Sequence, residues 1–85
     1  MQVFDELVSR QLETMDQLIK IQEEIERCQE IENQLFELED LSKLSSIQDE
    51  IHIMRSELKA IQDTFLIQTQ QIIKSFSDER KIALK

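Results

Sequence analysis

The sequence predicts an all-α protein, an antiparallel two-helix hairpin of coiled-coil type that dimerises into a four-helix bundle. Three observations lead there. The 85 residues contain no Gly and no Pro, and one third of them are charged, a composition of long helices rather than of sheets, which need turn residues. The second half carries an uninterrupted heptad pattern. The first half carries a broader apolar stripe whose phase conflicts with that pattern unless the chain turns back.

The first helix is expected over residues 2–41. Phe4, Val8, Met15, Leu18, Ile25, Cys28, Ile31, Leu35 and Leu38 form its best seam, with Gln11 and Gln22 in the two open positions. Val3, Leu7, Leu12, Ile19, Ile21 and Phe36 widen the stripe. That width suits a helix in a multi-helix bundle better than one in a two-stranded zipper.

The turn is expected over residues 42–46. A helix advances about 100° per residue, so the nine residues from Leu38 to Ile47 span about two and a half turns. In one continuous helix the two seams would face opposite ways; a break between them lets them meet. Ser45 or Ser46 can cap a second helix, with Gln48 or Asp49 completing a capping box. Against the break stand the absence of a closing Gly or Asn and the acids Glu37, Glu39 and Asp40 at a helix C-terminus, where the dipole disfavours them. The alternative is one long helix in a coiled coil, about 125 Å in length against 60–70 Å for the hairpin.

The second helix is expected over residues 47–84. Leu44, Ile47, Ile51, Met54, Leu58, Ile61 and Phe65 alternate spacings of three and four, which strands cannot produce. Gln68 and Ile72 take the next two positions. With arms of equal length, partners would sit at positions summing to about 87. That places Leu35 near Ile51, Cys28 near Leu58 and Met15 near Ile72. The seam expected to hold the hairpin is therefore Leu35, Leu38, Leu44, Ile47, Ile51, Met54, Leu58, Ile61 and Phe65.

Charge narrows the function. A net charge of −8 opposes nucleic acid and anionic membrane surfaces, both of which call for a basic face. The longest wholly apolar run, "FLI" at 65–67, is far short of the roughly 20 residues of a membrane span. "MQVFDELVSR" lacks the basic and apolar blocks of an export signal, and the lone Cys28 forms no internal disulfide; both fit a cytoplasmic protein. Residues 1–41 hold twelve acids and three bases, residues 42–85 six acids and seven bases.

Few side chains could carry chemistry. His52 and Cys28 are each the only residue of their type, so there is no multi-His or multi-Cys metal set. Cys28 reads as a small core residue and His52 as a flanking side chain, with Asp49 and His52 a weak i, i+3 metal pair. Glu23, Glu26 and Glu30 read as a solvated face. No catalytic residue, cofactor or metal is expected.

The stretch "FDELVSRQLETMDQLIKIQEEIERCQEIENQL", residues 4–35, resembles the YgaB-like family of short proteins from Bacillus. The resemblance implies a bacterial cytosolic protein and brings no catalytic or binding residues with it. Secreted hairpins of the Trp-x-Gly type have similar length, but this chain has neither Trp nor Gly.

At the open end of the hairpin the termini gather Val3, Phe4, Leu7, Val8, Leu66, Ile67, Ile72, Ile73 and Phe76, joined by Ile82 and Leu84. This is the candidate interaction patch. The expected function is a non-enzymatic structural or adaptor protein working through helix–helix contacts and self-association as a homodimer, with a protein partner not named by the sequence. The alternative is an acidic regulator that occupies a basic surface on a partner.

Overall fold

Helix α1 spans Gln2–Glu37 and helix α2 spans Leu41–Ala83, folded back on each other in a computed structural model that describes residues 2–83, with side chains to Asp78. Among the described residues there is no strand. The expected helix end at residue 84, and the side chains of Ile82 and Leu84, lie outside them. The hairpin is a rod of 69 × 14 × 13 Å, the length expected for a hairpin and about half that of a straight helix of 85 residues.

The corner lies at residues 38–40, not at 42–46. The reason is in the caps. Glu39 takes the left-handed conformation with φ of 56°, its N–H donating to the Phe36 carbonyl at 3.1 Å while that of Asp40 donates to the Leu35 carbonyl at 3.1 Å. These two bonds form a Schellman closure, normally built on Gly; here a glutamate bears the cost. Asp40 then starts the next helix at once. Its Oδ1 accepts from the Lys43 N–H at 3.2 Å, and its carbonyl accepts from the Leu44 N–H at 2.9 Å. That is an Asp N-cap, and it displaces the expected serine caps. Ser42, Ser45 and Ser46 are helical, and the Ser46 hydroxyl simply donates back to the Ser42 carbonyl.

Moving the corner shifts the register. Gln11 reaches Phe65 and Thr69, and the Phe4 and Phe76 rings lie 6.2 Å apart, so facing positions sum to about 79 rather than 87. The burial pattern follows suit. Half-buried or buried side chains in α1 fall at 4, 7, 11, 14, 18, 21, 25, 28, 32 and 35, and in α2 at 44, 47, 51, 54, 58, 61, 65, 68, 72 and 75, with Val8, Gln29 and Thr69 half-buried beside these series. Both series alternate three and four throughout. Leu35 comes level with Leu44, Cys28 with Ile51, Ile21 with Leu58 and Leu7 with Ile72.

Five sequence assignments in α1 therefore change, those of Val8, Met15, Gln22, Ile31 and Leu38. Met15, Gln22 and Ile31 are exposed and Val8 lies beside the seam, and Leu7, Thr14, Ile21 and Glu32 hold the seam positions in their place. Leu38 lies in the corner, 75% exposed, because the seam of α1 ends at Leu35. The phase conflict survives the correction, since Leu35 to Leu44 is again nine residues. The core itself is thin. Among the described residues Ile21, Ile25, Ile51 and Thr14 are buried, and none is fully enclosed.

Candidate protein-docking face

A two-helix ribbon has two broad sides, and the heptad assigns each side chain to one of them. In an antiparallel pair, residues following the first seam position of each heptad by one or four lie on the same side of both helices. On α1 these are Asp5, Val8, Leu12, Met15, Ile19, Gln22, Glu26, Gln29, Asn33 and Phe36. On α2 they run from Leu41 through Ser45, Gln48, His52, Arg55, Lys59, Gln62, Leu66, Thr69 and Ile73 to Phe76.

This side concentrates the uncovered apolar surface. Among the described residues thirteen large hydrophobic side chains are exposed, and eight of them stand here. Leu12, Met15, Ile19, Leu66, Ile73 and Phe76 form a field at the open half, and Phe36 and Leu41 a second spot beside the corner. Between them lies a polar band of Gln22, Gln29, Gln48 and Gln62, with Glu26 on α1 and His52, Arg55 and Lys59 on α2. The opposite side mixes Glu6, Glu13, Glu24, Glu50, Glu57 and Asp78 with Arg10, Lys20, Arg27, Lys43 and Lys74, interrupted by Val3, Leu38 and isolated isoleucines. One side is apolar at both ends; the other is of mixed charge.

The residues expected to form the interaction patch divide under this geometry. Phe4, Leu7 and Ile72 are half-buried in the hairpin's own seam, and Val8 beside it. Val3 and Ile67 are exposed on the opposite side. Leu66, Ile73 and Phe76 belong to the apolar face. Leu12, Ile19 and Phe36 were legible only as a widening of the stripe; strict heptad spacing counted from Leu18, Ile21 and Ile25 would have placed them.

Leu44, Ile47, Met54, Leu58, Ile61 and Phe65 are half-buried along the seam of α2, and Ile51 is buried at 4% exposure. Polar members interrupt that seam at one level. Gln11 Nε2 donates to the Phe65 carbonyl at 3.2 Å and to Thr69 Oγ1 at 2.6 Å. The Thr14 hydroxyl turns back to the Arg10 carbonyl at 3.1 Å. Gln68 Oε1 is buried with no hydrogen-bond partner among the described residues.

Cys28 is half-buried in the seam as a free thiol, and Asp49 and His52 are exposed. Among the described residues no three His, Cys, Asp or Glu side chains assemble as a metal-ligand set, and no helix is long and apolar enough to cross a membrane. A shallow depression of about 370 Å³ lies along α1, lined by Gln2, Asp5, Glu6, Ser9, Arg10 and Glu13. It is the surface of one helix, not a cavity between two.

Comparison with known proteins agrees with the resemblance read from residues 4–35. The model of the family described as YgaB-like protein matches residues 3–79. The chain is also 45% identical over 78 residues to the protein of Bacillus subtilis (strain 168) called "Uncharacterized protein YgaB", covering 92% of this chain and 68% of that one. No solved structure matches. A two-helix hairpin whose sequence fits that family along nearly all its length belongs to the YgaB-like family.

Proposed function

We propose that this chain is a non-enzymatic interaction module of the cytoplasm, which self-associates and acts through helix–helix contacts on its apolar face. The observation that carries this reading is the eight exposed large hydrophobic side chains gathered on one side of a rod. Apolar patches of that extent mark association surfaces. Area supports the same reading. The chain exposes 6907 Å², against about 5,300 Å² for a compact protein of its mass. The excess is more than the roughly 800 Å² that one partner gives up in a standard interface.

Sedimentation equilibrium of the wild type and of a Leu12→Glu/Leu66→Glu variant tests the reading. The wild type is expected to sediment as a dimer at micromolar concentration. The variant, whose changes touch no seam position, is expected to shift to the mass of one chain. A wild type that stays a single chain up to millimolar concentration overturns the proposal.

The outer edge of α1, where Asp16, Glu23, Glu30 and Glu37 stand exposed at seven-residue spacing, favours a second reading, in which it covers a basic surface of another protein. Binding of that kind weakens steeply as ionic strength rises, whereas docking through the apolar face is nearly indifferent to salt. Titration of binding against salt separates the two.

A further inference from the structure

We infer that the surface covering the apolar face is a second copy of the chain laid parallel to the first, related by a two-fold axis along the rod. This rests on the self-association reading and adds its geometry. In such a bundle α1 of one copy lies beside α2 of the other, antiparallel, at the same register that operates within the hairpin. Each outward position of α1 then meets a defined partner level.

The match along this edge is one of like with like for apolar residues and of opposites for charges. Leu12 comes level with Leu66 of the other copy, and Ile19 lies between its Leu66 and the stem of its Lys59. Glu26, the acid of the polar band, comes level with the other copy's His52 and Arg55. Asn33 comes level with Ser45. Phe36 and Leu41 of both copies gather at the corner end. In the polar band between, four glutamines per chain face one another, and each amide offers both donors and an acceptor.

The other way of stacking two ribbons face to face puts the axis across the rod, with the corners at opposite ends. Full overlap then lays Leu12 and Ile19 against the polar band of the other copy. Sliding the copies until the apolar fields coincide leaves Phe36 and Leu41 of each uncovered. Only the parallel arrangement covers both apolar regions while pairing Glu26 with base.

Spin-label distances in the full chain decide between them. In a Cys28→Ala background, Gln34→Cys carries a nitroxide near the corner, on the side away from the proposed interface. Parallel copies place the two labels within about 35 Å, whereas crossed copies place them about 40–60 Å apart. A dimer showing the long distance overturns this arrangement and leaves self-association standing. A single-chain mass overturns both.

A charge swap gives a second readout. Glu26→Lys is expected to raise the dimer Kd about three- to tenfold, and Arg55→Glu added to it to restore the wild-type value. A double variant no tighter than the single one contradicts the pairing.

Discussion

Gln11 reaches across the seam to Thr69, its Nε2 donating to Oγ1 at 2.6 Å, in the same layer as Gln68, whose side-chain Oε1 is buried with no partner among the described residues. The two amides thus have opposite energetic signs. Truncating Gln11 breaks two bonds and strands the Thr69 side of the layer, so Gln11→Ala is expected to cost about 1–2 kcal/mol. Gln68→Leu removes an unsatisfied acceptor and adds apolar contact, and is expected to stabilise by about 1 kcal/mol. Urea midpoints at fixed protein concentration read both. A lower midpoint for Gln68→Leu contradicts the assignment.

The polar layer also fixes register. A single polar position in a coiled-coil seam selects one alignment at some cost in stability. Gln11→Leu/Gln68→Leu is therefore expected to unfold at higher urea than wild type, with broader spin-label distances between the arms. Sharp, unchanged distances would show that the caps alone set the alignment.

At the corner, Glu39 pays for a conformation that Gly adopts freely. Glu39→Gly is expected to stabilise by about 0.5–1 kcal/mol, after allowing for the greater freedom of Gly in the unfolded chain. Asp40→Ala removes the cap on α2 and is expected to cost about 1 kcal/mol. Thermal unfolding followed by circular dichroism measures each. Equal effects from Ser45→Ala or Ser46→Ala would return the cap to the serines.

Ile51 is the most enclosed of the core residues, level with Cys28 in the middle of the rod. A core this thin has little in reserve. Ile51→Asp places a charge in the seam and is expected to abolish most helical signal at 25 °C. A variant with wild-type ellipticity shows that the seam is not what holds the helices.

How much of this was legible follows from which residues obey their position. The heptad of α2 could be read directly because every seam position from Leu44 to Phe65 is apolar. In α1 three seam positions are polar, Gln11, Thr14 and Glu32, while Met15 and Ile31 sit one place away and look like better candidates. Hydrophobicity alone chooses Met15 over Thr14; only the register with α2 chooses otherwise. The corner was missed for a related reason. Serines drew attention as caps, while Asp40 looked like an unfavourable acid at the end of one helix instead of the first residue of the next. The apolar face depended on both, since its membership is set by counting from the seam.

Because the corner is three residues long and closed by bonds from both helices, it leaves no slack between the arms. Removing seven residues from one arm alone would keep its seam facing inward but set every layer beyond that point against a new opposite. Length in a molecule built this way can change in only two ways. Residues can be gained or lost at the free ends, or the arms can be cut and lengthened together, in matched sevens, like the two sides of a zip.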